Sequence, residues 1–113
     1  MAKTNAVFMS GVPELLILRL LAKQEMYGYE LVKAIQLSSQ HAFSLAEGVV
    51  YPNLHSLESK GFLKARERQV DGRNRVYYQT TAKGLKRLRE LQGEWNRVSE
   101  GIESVLRRNL CLA

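Results

Sequence analysis

The sequence predicts a mainly α fold with a small β-hairpin and one long last helix. Three observations carry this. A helix pattern from Ser44 to Gly61 runs directly into two strand patterns that flank Asp71-Gly72. Two shorter helix patterns precede it, joined by brief polar connections. An apolar seam then repeats at heptad spacing through the last quarter of the chain. Helices followed by a basic hairpin give the order of a winged helix-turn-helix, with one long C-terminal dimerisation helix appended.

The elements follow in order. Residues 1–9 read as an arm whose only charged side chain is Lys3. Pro13 stands where a first-turn helix proline belongs. Leu15, Leu16, Ile17, Leu18, Leu20 and Leu21 then point all round the first helix, which places it between the core and another element. Gln24 to Gly28 reads as a short polar turn. The second helix is expected from about Tyr29 to Ser39, with Leu31, Val32 and Ile35 buried.

Ser44 and Glu47 have capping-box spacing, so the third helix is expected to start at Ser44. Val50, Leu54 and Leu57 form its apolar stripe. Pro52 falls inside, and the helix is expected to continue through it, bent, because the residue four back is Gly48. Val49, Pro52, Asn53, Ser56 and Lys60 then face outward, with Tyr51 at the margin. Asn53 and Ser56 suit hydrogen bonds to base edges and Val49 suits a thymine methyl. The alternative for each is a solvated surface side chain. Gly61 suits a left-handed C-cap.

Phe62–Gln69 and Asn74–Gln79 flank Asp71-Gly72, a strong two-residue hairpin signal. That loop sets Arg68 opposite Arg75, Arg66 opposite Tyr77 and Lys64 opposite Gln79. Strand alternation then puts Lys64, Arg66, Arg68, Arg75 and Tyr77 on one face, and Leu63, Ala65, Val76 and Tyr78 on the other. Such a wing packs on a core and lies against phosphates, with Arg73 beside its tip. Charge that only protects a solvated edge is the competing reading.

Thr81 opens the last helix, which is expected to reach about Arg108, roughly 40 Å. Leu88, Leu91, Trp95, Val98, Ile102 and Val105 are spaced 3, 4, 3, 4, 3 along it. A domain of this size has no second surface long enough for that seam, so a second copy is expected to cover it. Trp95, the single tryptophan, reads as an interface aromatic or as a stacking platform for a flat ligand. The chain divides into residues 1–80, a winged helix-turn-helix DNA-binding domain with an N-terminal arm, and residues 81–113, the dimerisation helix.

Bulk properties agree. The 113 residues carry 17 Lys and Arg against 11 Asp and Glu, a net charge of +6 that favours polyanionic partners. The single cysteine, Cys111, excludes an internal disulfide and fits a reducing compartment. No apolar run approaches the roughly 20 residues of a membrane span, and the N-terminus lacks a signal-peptide pattern, so a cytoplasmic protein is expected. His41, His55 and Cys111 have no metal-ligand spacing. No phosphate loop, paired carboxylates or activated nucleophile stands out, so neither an enzyme nor a cofactor is expected.

The residues together resemble the PadR-like transcriptional regulators, winged-helix proteins of bacteria. The resemblance rests on Tyr27-Gly28-Tyr29-Glu30-Leu31, Glu47-Gly48 with Tyr51-Pro52, Leu54, Leu57-Glu58 and Lys60-Gly61. It continues through Gly72-Arg73, Arg75, Tyr77-Tyr78, Thr81 and Gly84, and spans about residues 11 to 110. The single last helix looks like the short subfamily. The resemblance implies a homodimeric regulator, usually a repressor, on palindromic operators, with the first and last helices forming the interface. Some short members of that family bind flat aromatic compounds in a pore at the interface, against a tryptophan matching Trp95. By that resemblance Gln92, Ser99, Phe8, Gly11 and Leu15 would line it here, with Leu91 flanking it. Thr80 departs from the aliphatic residue usual before the capping threonine, and Val49 from a small hydroxyl residue. A ligand-insensitive DNA-binding regulator, and a partner- or small-molecule-binding protein that keeps the fold without binding DNA, are the competing functions.

Overall fold

In the computed structural model, which describes residues 11–108, α1 (Val12–Lys23) starts behind Gly11, with Pro13 in its first turn. Val12, Ile17, Leu18 and Leu21 are buried, and Leu15, Leu16 and Leu20 are half-buried against the same core. Burying a leucine or isoleucine side chain contributes about 1.5–3 kcal/mol, so α1 anchors the domain. α2 (Gly28–Ser38) and α3 (Glu47–Ser59) pack on it through Leu31, Ile35, Val50, Leu54 and Leu57.

The segment before α2 is more than a polar turn. Met26–Tyr27 forms a strand, β1, antiparallel to β3 (Arg73–Thr80), which also pairs with β2 (Leu63–Val70). The sheet order is β1-β3-β2, so the hairpin is part of a three-stranded sheet. The hairpin register matches the expectation: Arg68 pairs with Arg75, Arg66 with Tyr77 and Lys64 with Gln79. Asp71 and Gly72 both have positive φ, 52° and 75°, as a type I′ turn requires.

α3 runs through Pro52 but does not begin at Ser44. Its N-cap is Ala46, without a side-chain cap, and the Ala46 carbonyl accepts from Val49 and Val50. Leu45 is buried and Ser44 exposed. An extended entry that inserts Leu45 into the core displaces the start of the helix by two residues. The other end is a Schellman motif: Phe62 N–H donates to Leu57 O and Gly61 N–H to Glu58 O, with Gly61 at φ 82°.

α4 (Ala82–Arg107) is capped by Thr81, whose Oγ1 accepts from Gly84 N–H at 3.0 Å and donates to Gly61 O at 2.7 Å. The Thr81 N–H donates to Phe62 O. Thr80, where an aliphatic residue is usual, is buried with its hydroxyl donating to Leu18 O at 2.9 Å. The hydroxyl therefore has a partner inside the core and ties the sheet to α1. Arg87 donates to Glu14 at 2.8 Å across the α1–α4 contact, and that hydrogen bond raises its pKa further.

Along the seam, Leu88 is 5% exposed and belongs to the chain's own core. It is not free to meet a second copy, which corrects its assignment to the dimer interface. Leu91 is half-buried against that core. Trp95, Val98, Ile102 and Val105 lie exposed beyond it.

Candidate nucleic-acid interface

α3 holds the outward residues by fixing their opposite stripe in the core. Val49, Tyr51, Pro52, Ser56 and Lys60 are exposed, and Asn53 is half-buried. The Asn53 side-chain amide donates one hydrogen to Val49 O at 2.8 Å, which leaves its second N–H and its carbonyl oxygen for an incoming base edge. Tyr51 packs its ring over Gly28: a Cβ there would lie 2.4 Å from the Tyr51 ring and hydroxyl. The glycine at the start of α2 is thus a seat for the aromatic ring of α3.

The wing carries Lys64, Arg66, Arg68 and Arg73 on exposed positions, with Arg75 half-buried. The side chains are organised by an aromatic strip that no reading of the hairpin alone contained. Tyr27 on β1 lies 5.5 Å from Tyr77 on β3, edge to face, and 6.4 Å from Tyr29. Arg75 sits 4.4 Å over the Tyr27 ring, Arg68 4.6 Å over Tyr77, and Lys33 5.6 Å over Tyr29. Cation–π contacts of this kind hold a guanidinium flat while leaving its edge free to donate.

Two sequence-based assignments change. Tyr77 is 8% exposed, under Arg68 and against Tyr27. It supports the cations and does not itself offer a surface. The apolar face of the hairpin packs only at its base: Leu63 and Tyr78 are buried, whereas Ala65 and Val76 are exposed. The hairpin projects beyond the core, so alternation gives the faces but not how far the core reaches. Lys60, the C-cap of α3, is exposed as expected. It lines a cleft with Glu14, Phe62, Lys83, Lys86, Arg87 and Glu90, and its carbonyl accepts from Lys83 Nζ at 2.8 Å.

Glu25, Tyr27, Tyr29 and Lys33 were missed by sequence reasoning. The two tyrosines flanking Gly28 were the only signal, and a two-residue strand has no periodicity to detect. Burial raises the Tyr78 pKa above the usual phenol value, with Glu58 and Tyr51 adding to it. That phenol stays protonated near neutral pH and contributes no negative charge between α3 and the wing.

The residues expected around an aromatic ligand fall on two elements. Gln92, Trp95 and Ser99 lie on α4, where Ser99 is half-buried and donates to Asn96 O at 3.3 Å. Gly11 and Leu15 lie at the start of α1, and Phe8 falls outside the described residues. Leu91, the expected flanking residue, is partly taken up by the core. Among the described residues no group of three or more His, Cys, Asp or Glu could hold a metal ion. No described helix is long and apolar enough to cross a membrane.

Comparison with known proteins fits this geometry. Residues 17–90 match the transcriptional regulator PadR-like family. The chain is 36% identical over 83 residues to the transcriptional regulator Rv3488 of Mycobacterium tuberculosis, covering 74% of this chain and 75% of that one. A PadR family transcriptional regulator from Eggerthella lenta superposes with a TM-score of 0.79 at 31% identity, covering 92% of this chain and 89% of that one. A transcriptional regulator from Clostridium thermocellum gives 0.82 at 26% identity, covering 89% and 96%. The chain belongs to the PadR-like family of transcriptional regulators, a family of DNA-binding proteins and not of enzymes.

Proposed function

We propose that the protein is a cytoplasmic homodimeric repressor that binds a palindromic operator and is released by a small aromatic ligand at the dimer interface. The observation that carries the DNA reading is the shared outward display of α3 and the cationic wing. Val49, Asn53 and Ser56 supply groups suited to base edges, and Arg66, Arg68, Arg73 and Arg75 supply cations for phosphates. Two-fold symmetry would set two α3 helices for major grooves about 34 Å apart.

The test of the wing is a double substitution, Arg73→Ala with Arg75→Ala. It removes one exposed cation beside the turn and one stacked over Tyr27. Affinity for every duplex should fall by about 10–100-fold, and the log–log salt slope should flatten by about two units. Unchanged affinity and slope would remove the wing from the interface.

The ligand half of the proposal rests on Trp95, half exposed in the middle of the seam. In a dimer, two such rings would face one cleft and could bracket a flat apolar molecule. Binding would act on DNA affinity by favouring one separation of the two α3 helices, which requires different affinities in the two arrangements. Trp95→Ala should abolish binding of flat aromatic compounds, read by calorimetry, while sedimentation still shows a dimer. If wild type and variant bind a panel of such compounds equally, the pocket assignment is wrong. A saturable quench of wild-type Trp95 fluorescence would favour ligand release, and a silent panel the ligand-insensitive regulator.

A further inference from the structure

We propose that Glu25 is an internal competitor for the wing arginines and sets the sequence-independent part of DNA affinity. This inference rests on the wing being the phosphate-binding element. Glu25 precedes β1, and β1 pairs Tyr27 with Tyr77, the residue opposite Arg66 on β2. That register delivers the Glu25 carboxylate to the cationic face of the hairpin, 41 residues from Arg66 in sequence. One oxygen, Oε1, accepts from both Arg66 Nη2 and Arg68 Nη1, the latter at 3.2 Å. Lys64, Tyr77 and Gln79 complete the groove around it.

The arrangement is asymmetric in two ways. The Glu25 side chain is the more shielded partner, at 26% exposed against 61% and 44% for Arg66 and Arg68. And one negative charge serves two positive ones, so the pair keeps a net positive charge facing solvent. A phosphate that takes either guanidinium leaves a carboxylate beside the DNA backbone with fewer partners. That carboxylate must then recruit a cation from solution. Counterion release from the DNA drives phosphate contacts, and the uptake at Glu25 cancels part of it. Because these pairs are partly exposed, each is individually weak and can be exchanged.

Glu67 provides an internal control. It lies between Arg66 and Arg68 on β2, on the opposite face of the strand, and has no ion pair among the described residues. Glu67→Gln makes the same charge change on the same strand without touching the arginine cluster. Any effect of net charge alone appears equally in both variants.

The experiment is a fluorescence anisotropy titration of a labelled random-sequence duplex, repeated across roughly 50 to 200 mM salt. The proteins are wild type, Glu25→Gln, Glu67→Gln, Arg66→Ala/Arg68→Ala, and Glu25→Gln in that double-alanine background. Glu25→Gln should bind about 3–10-fold more tightly than wild type at the low-salt end, with a slope steeper by about one unit. Glu67→Gln should change little, and the Glu25→Gln effect should vanish without the two arginines. Equal effects of the two glutamines, or weaker binding by Glu25→Gln, would overturn the proposal, the second by making Glu25 an organiser of the arginines. Absence of salt-dependent binding by all five proteins would overturn the DNA reading itself and the competitor role with it.

Discussion

Gly84→Ala should destabilise the fold by about 3 kcal/mol, the upper end of the usual cost of overpacking. A Cβ at Gly84 would stand 2.1 Å from the Phe62 carbonyl oxygen and 2.7 Å from the Thr80 methyl. That carbonyl is backbone, accepts from Thr81 N–H, and sits just past the Schellman turn that ends α3. Neither neighbour can swing away as a flexible side chain would. Alanine favours a helix over glycine by about 1 kcal/mol, but this gain is smaller than the clash. Thermal unfolding should show Tm lowered by about 10–20 °C. Gly93→Ala is the comparison. A Cβ at Gly93 meets nothing within 4 Å, and the residue faces away from the seam, so the same substitution there should be neutral or slightly stabilising. Equal Tm values for the two variants would contradict the packing at the start of α4.

Ile102→Asp should convert dimers to monomers. Ile102 is 55% exposed in the single chain, so the substitution leaves the chain's own core untouched. In a two-fold seam each substitution acts twice. Losing about 1.5–3 kcal/mol of burial per copy weakens the dimer by about 10² to 10⁴-fold, before any cost of burying the carboxylates. α4 beyond Leu91 has little of its own domain to pack on, and an isolated helical stretch of that length is marginal in water. Dissociation should therefore bring a loss of helical circular dichroism, with the melting of the remaining domain retained. Sedimentation velocity reads the mass directly. An Ile102→Asp protein that stays dimeric at micromolar concentration would mean that the seam is not the interface.

The parts legible in the sequence were those governed by local rules. Asp71-Gly72 specifies a turn that fixes the hairpin register, so the Arg68–Arg75 and Arg66–Tyr77 pairs followed from counting. Gly61 announced the end of α3 and Thr81 the start of α4 for similar reasons. What was not legible depends on partners distant in the chain. β1 is too short to show a period, yet it brings Tyr27 under Arg75 and Glu25 onto Arg66 and Arg68. The Ser44 capping pattern was locally sound, but burying Leu45 outweighs a single cap. Leu88 fitted the heptad spacing and was nevertheless taken by the near end of its own domain. Spacing identifies a stripe, and only the tertiary fold decides which part of it remains for a partner.

In the proposed function, α3 and the wing grip duplex DNA through its phosphates. The most direct measurement is the affinity of the wild-type protein for a mixed-sequence duplex as a function of salt. With Arg66, Arg68, Arg73 and Arg75 engaged, log affinity should fall linearly with log salt, by about 0.9 for each phosphate neutralised and so by several units in all. An affinity that does not change with salt, or no binding at the lowest salt, would contradict phosphate binding by α3 and the wing.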